Sequence, residues 1–170
     1  MTTYYVSANG SDSAAGTSEG APWLTPAKAV ATSMSGGDVV RFRRGDTFSG
    51  VNVTVSDSGT DFAAPIEWAD YGQSDAPKPK FYQSSAAANI VTLSGDYVYL
   101  LNIEFEGGLS SVRPTASTGF RVDNCKLTHS SDSAILISGA GSGGGIQDSE
   151  IISLVGNGIE STTHTGMSIR

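Results

Sequence analysis

Apolar residues recur at two-residue spacing through most of the chain, in short bursts broken by Gly, Ser, Asn or Asp. The bursts include "DVVRFRRGDTF", "VNVTV", "PIEWADY", "NIVTL", "DYVYLLNIEF", "GFRVDNCKL", "SAILIS", "GGIQDSEII" and "NGIES". This alternation predicts short, half-buried β-strands joined by tight turns. A different spacing occurs once, in "LTPAKAVATSM". There Thr25 suits an N-cap, Pro26 falls at the first helical position, and Ala27, Val30 and Ala31 share one face. The pattern predicts a helix over about 25–34.

The strand pattern is also self-similar. Aligned with one another, "YLLNIEF" (99–105), "RVDNCKL" (121–127) and "GIQDSEI" (145–151) are offset by 22 (121 minus 99) and 24 (145 minus 121) residues. Leu100, Val122 and Ile146 then share a column, as do Ile103, Cys125 and Ser149, and Phe105, Leu127 and Ile151. "SAILIS" (133–138) falls on "NGIEST" (157–162) with the same offset of 24 (157 minus 133), placing Ile135 over Ile159. A unit of this size cannot bury its apolar side alone and must stack on its neighbours. Successive turns of one chain stacked in parallel make a β-solenoid, which accounts for the equivalent positions better than a β-sandwich does.

In such a solenoid Asn102, Asn124 and Asp148 occupy a sharp corner, where Asn and Asp tolerate left-handed geometry and hydrogen-bond nearby backbone. Glu104, Lys126 and Glu150 form an outward ladder of alternating charge beside them. The expected organisation is an N-terminal cap over 1–37 (strand, loop and helix) followed by solenoid coils over 38–170.

The opening "YYVSANGSDSAAGTSEGAPWLTPAKAV", followed by "GGDVVRFRRGDTFSG", resembles the N-terminal cap and first coil of the right-handed parallel β-helix superfamily, the pectate-lyase-like proteins. "PIEWADYGQSDAPKPKF" is similar to a second coil, and "NCKLTHSSDSAILI" to asparagine-cornered repeats. The resemblance covers nearly the whole chain and implies an all-β, right-handed parallel β-helix with a short N-terminal capping α-helix. Relatives of this type include polysaccharide lyases, glycoside hydrolases, epimerases, phage tailspikes and adhesins, so the fold alone does not select a function. The resemblance implies an extracellular protein that binds or processes polysaccharide, with uronic acids as a substrate class and Ca2+ as a candidate cofactor. The alternative it leaves open is a non-catalytic structural or adhesive module, such as a virion appendage. "MTTYYVS" shows no cleavable signal peptide, which matches members exported without one or located on a virion surface. The strand-like end "TGMSIR" carries the expectation of a further coil, a partner or a second copy covering the last turn.

Composition narrows the picture without naming a reaction. The net charge of -7 argues against a nucleic-acid partner. Arg41, Arg43 and Arg44 form the only basic cluster, and the "RRGD" they begin is too short a match to imply adhesion. No apolar run reaches the roughly 20 residues of a membrane span. The single cysteine, Cys125, cannot form an intramolecular disulfide, and its inward parity marks it as a small core residue.

Lyases of this fold need a base and a neutraliser for the substrate carboxylate, whereas glycosidases need two carboxylates about 5 to 9.5 Å apart. Glu104 and Glu150 lie two strands apart on one ladder, hence about 9.6 Å, with Lys126 between them. Asp132 and His129 share the loop "THSSDS", where they are candidates for base and orienting group or simply turn residues. Asp123, Asp148, Glu106 and Glu160 are the other carboxylates near the repeats. Tyr99 (with Tyr97), Arg121 and Asp123 face outward and are candidates for sugar contact. His164 in "STTHTG" reads as a loop residue, and "SGAGSGGG" (138–145) as an inter-coil loop. No metal-ligating set is identified.

Overall fold

The computed structural model describes residues 1–152, 155–162 and 165–170. The cap comprises β1 (Thr3–Val6), a long loop and α1 (Pro26–Val30). The first coil contains β2 (Val39–Arg43), β3 (Thr47–Ser49) and β4 (Val53–Val55), and the second β5 (Ile66–Tyr71), β6 (Lys80–Gln83) and β7 (Val91–Leu93). The third coil is β8 (Val98–Leu101), β9 (Glu104–Gly107) and β10 (Ser110–Pro114); the fourth is β11 (Arg121–Asp123), β12 (Lys126–Thr128) and β13 (Ser133–Ile137). The fifth is β14 (Gly145–Gln147), β15 (Glu150–Ile152) and β16 (Asn157–Ser161), after which β17 (Ser168–Ile169) returns to the first sheet.

Among the described residues these strands form three parallel sheets. The first has seven strands in the order β1-β2-β5-β8-β11-β14-β17. The second runs β3-β6-β9-β12-β15 and the third β4-β7-β10-β13-β16. The fold is thus an all-β parallel β-solenoid of five coils in which each strand pairs with its equivalent one coil away. The expected columns are present: Leu100 pairs with Val122 and Val122 with Ile146, Phe105 with Leu127 and Leu127 with Ile151, and Ile135 with Ile159.

Inward positions of the three sheets meet in one apolar interior. Its widest part lies in the first coils, where Phe81 is ringed edge-on by Phe42 at 4.8 Å, Phe105 at 5.6 Å and Phe48 at 5.7 Å. Trp68 stands 6.3 Å away. Edge-to-face rings at these separations add to the area term, which is about 1.5–3 kcal/mol for each fully buried large side chain. Cys125 is buried among these columns, and burial pushes its thiol up to about 12.

The corner between the first and second sheets has a specific construction. Asn102, Asn124 and Asp148 all adopt positive φ, at 60°, 47° and 47°. Asn124 donates to Asn102 at 2.7 Å, and Asn102 donates to Asp70 at 2.8 Å. Arg44 of the first coil binds the Asp70 carboxylate, and Lys78 of the second coil reaches the carbonyl and side-chain oxygens of Asn124. One polar chain therefore crosses four coils.

The cap differs from expectation in the helix. It spans Pro26–Val30 rather than 25–34, and its buried face is Pro26 and Ala29, while Ala27 and Ala31 are exposed. Thr25 is the N-cap as expected, accepting from the Lys28 N–H at 3.2 Å. Asp12 fixes its orientation by accepting from the Leu24 and Thr25 amides and the Thr25 hydroxyl at 2.8–2.9 Å. Beyond the C-cap Ala31, Asp57 accepts from the Met34 N–H at 2.7 Å and ties the following segment to the first coil. Among the described residues no helix is long and apolar enough to cross a membrane.

Candidate functional site

Alternation along the second sheet decides which side chains reach its surface. Because Phe81 and Phe105 point inward, Lys80, Tyr82, Glu104 and Glu106 point outward. The outward column Thr47–Lys80–Glu104–Lys126–Glu150 is continuous in register. The alternating-charge ladder thus exists and begins one coil earlier than the repeats alone indicate. Lys80 bridges Glu106 at 2.6 Å and Glu104 at 3.2 Å, and Lys126 pairs with Glu150 at 3.4 Å. The Glu106 bond, opposed by partial burial and supported by Glu104, holds the Lys80 ammonium above its usual range.

A groove of about 320 Å³ opens where this sheet turns into the third. Tyr82 and Glu106 form one side of it, His129 and Ser131 the other, and Gly107 lies in its floor. His129 has φ 59° and its N–H donates to the Ile152 carbonyl at 3.2 Å, so the chain turns sharply on leaving β12 and exposes the imidazole. Ser131 ties the same loop down by donating to the Gly108 and Ala86 carbonyls at 3.1 and 3.2 Å. The floor requires glycine: Gly107 has φ 85°, and a Cβ there would lie 2.2 Å from the Gln83 carbonyl oxygen.

The structure separates the candidates read from the sequence into two sets. His129 enters the groove beside Glu106. Asp132 follows on the same loop without lining it, and its N–H donates to the Leu109 carbonyl. Glu104, Lys126 and Glu150 stand on the adjoining ladder. Tyr99, Arg121 and Asp123 lie on the first sheet, a different face of the solenoid. Tyr99 is only 6% exposed: its hydroxyl donates to the Phe62 carbonyl at 3.3 Å, and the Arg121 guanidinium lies over its ring at 5.1 Å. The ring is therefore a support for Arg121 instead of an open platform. Burial raises the Tyr99 phenol above its ordinary value, with Arg121 opposing. His164 lies outside the described residues.

Tyr82 and Glu106 were legible as outward residues only after β6 and β9 were paired. Phe62, 53% exposed in a loop with no periodic context, had no sequence signal at all. Among the described residues no three His, Cys, Asp or Glu side chains converge as a metal site. Calcium needs six to eight oxygen ligands, and the nearest carboxylates, Glu104 and Glu106, are both engaged by Lys80. The described residues bring no such set of oxygen ligands together beside the groove.

No protein-family model matches the chain. A stretch of 81 residues is 42% identical to the lacto-N-biosidase of Bifidobacterium longum subsp. longum, covering 46% of this chain and 5% of that protein. Among solved structures, pectate lyase Pel9A superposes with a TM-score of 0.79 at 20% identity, over 98% of this chain and 45% of that one. The GH136 lacto-N-biosidase from Eubacterium ramulus superposes with a TM-score of 0.70 at 15% identity, over 86% of this chain and 34% of that one. The chain thus spans less than half of each of these three proteins, and the structural likeness establishes the shared parallel β-helix fold.

Proposed function

We propose that this chain forms part of an extracellular carbohydrate-processing protein and that the groove between the second and third sheets holds a sugar residue of its substrate. The observation that carries this reading is the convergence of Tyr82, Glu106 and His129 on one depression. An aromatic ring supports the apolar face of a pyranose, a carboxylate accepts its hydroxyl protons, and an imidazole exchanges a proton near neutral pH. The 42% identity to a lacto-N-biosidase segment and the fold shared with pectate lyase Pel9A support a glycan as the ligand.

In this reading His129 is the proton-transfer group and Glu106, oriented by Lys80, is the hydroxyl acceptor. The test is incubation with uronic-acid polysaccharides, followed by absorbance of unsaturated product, and with neutral oligosaccharides, followed by release of reducing ends. Wild type should act on at least one class, with His129→Ala and Glu106→Gln each lowering the rate at least 100-fold. Turnover unchanged in both variants would overturn the assignment.

One observation favours a second reading. Both outward carboxylates of β9 are held by Lys80, so neither of these two stands unpaired beside the groove for glycosidic chemistry. A binding or adhesive module would then retain glycan in the groove, lose it in Glu106→Gln, and turn over no member of the panel.

A further inference from the structure

The groove on the opposite side of the molecule has the complementary chemistry. It is about 240 Å³ in volume, lies on the outer face of β11, β14 and β17, and is lined by Phe62, Arg121, Asp123, Gln147 and Arg170 above a floor of Gly143–Gly145. Two arginines and one carboxylate meet here, although the chain as a whole carries a net charge of -7.

Arg121 is the informative residue. It is exposed, and among the described residues its guanidinium makes no hydrogen bond or ion pair; it lies over the face of Tyr99 at 5.1 Å. Tyr99 is in turn fixed by its hydrogen bond to Phe62 and by register between Glu67 and Arg121. Stacking on a buried ring restrains the planar fork while leaving its N–H donors free, which lowers the ordering cost of binding an oxyanion in bidentate geometry. Asp123, two residues along the same strand face, forms no ion pair with it. At the rim Phe62 is held edge-on to Tyr97 at 5.1 Å and exposes its remaining face. Gly143 has φ 68°, where other residues are strained, and a Cβ at Gly144 would meet the buried Phe120 ring at 2.2 Å, so both positions call for glycine.

We infer that this groove is a second, anchoring subsite that binds an acidic sugar residue, with Arg121 receiving its carboxylate and Phe62 covering its apolar face. The inference rests on the reading of the chain as glycan-directed. It places the anchoring contact on the first sheet, away from the Tyr82–Glu106–His129 groove. Asp123 and Gln147 supply acceptors and donors for the hydroxyl groups of the same residue, and Arg170 adds a second cation.

The test uses the whole chain, labelled with nitrogen-15 and titrated with a galacturonic-acid trimer, a neutral galactose trimer and a sulfated galactose trimer. The uronate should shift the amides of Gly143–Gly145 and Gln147. Arg121→Gln should weaken its binding about tenfold, and Arg121→Lys should restore part of the loss. A sulfated trimer binding as tightly as the uronate would replace the carboxylate assignment by general anion binding. Equal affinity for the neutral trimer, or unchanged affinity in Arg121→Gln, would overturn the subsite. Because Arg121 is exposed, the variant should keep the wild-type melting curve. His129→Ala and Glu106→Gln should leave uronate affinity at Gly143–Gly145 unchanged. Loss of turnover in those variants with intact anchoring, or the reverse, therefore distinguishes failure of one reading from failure of the other.

Discussion

Asn124 donates its side-chain amide to the side-chain carbonyl of Asn102, one coil away, across 2.7 Å. Both residues sit at positive φ, so each is selected twice: for a backbone most residues avoid and for a side chain that joins coils. Asn102→Ala removes the bonds to Asp70 and Asn124 and adds about 1–2 kcal/mol of left-handed strain. It should destabilise the protein by about 2–4 kcal/mol. Asn102→Gly, which relieves the strain but not the lost bonds, should cost roughly half as much in urea denaturation. Equal losses in the two variants would show that the backbone strain is not felt.

Phe81→Ala should be among the most damaging single changes, at about 3–5 kcal/mol. It empties the centre of the ring formed by Phe42, Phe48 and Phe105. Thermal unfolding of the variant, checked for two-state behaviour, measures the loss; a cost below 1 kcal/mol would mean that the rings collapse to fill the space.

Cys125 should be chemically silent in the folded protein. Burial pushes its thiol up to about 12, so at pH 8 almost none is thiolate. A thiol-reactive disulfide reagent should label it only in denaturant, and rapid labelling of the native state would show that the fourth coil opens.

Asp12 gives the cap a pH dependence. Partial desolvation raises its pKa, but the hydrogen bonds from Thr25 and Leu24, aided by Lys28, lower it more, leaving it below its ordinary value. A carboxyl depressed in the folded state stabilises above its unfolded pKa, near 3.9, and that contribution fades as pH falls through the folded value. Asp12→Asn should be about 1 kcal/mol less stable at pH 7. The gap to wild type should narrow in melts as pH falls below the ordinary carboxylate value and through the depressed folded one. A gap independent of pH would assign the effect to something other than the charge.

Gly107→Ala should distort the groove floor, because its Cβ meets backbone at 2.2 Å and φ is 85°. A loss of about 2 kcal/mol or more, together with lost glycan binding, is expected. Retention of both would remove the glycine requirement.

The strand registers were legible in the sequence because apolar columns and the Asn, Asn, Asp corner repeat at nearly constant spacing. The corner's other partners were not. Asp70 precedes Asn102 by 32 residues (102 minus 70), outside the period, and Lys78 arrives from an irregular loop. β10 was missed for a different reason: "SSVRP" has one large apolar residue and a proline, and it becomes a strand through pairing with β7 and β13 on either side. The shortness of α1 was equally hidden, since the segment after it is held by Asp57, 23 residues beyond Met34. For the site, the sequence identified His129 and Arg121 individually, but only the coil stacking shows that they belong to different faces.

The corner between the first and second sheets is two residues long after β8, β11 and β14, although eight residues (72–79) follow β5, whereas the connections at the other two corners differ in length from coil to coil. Both grooves occur at those variable corners. From the third coil on, the molecule therefore works like a spindle with one fixed seam. Lengthening a loop away from that seam changes what the surface can grip while the thread count of the spindle stays the same, so new ligand preferences can be tried without re-solving the fold.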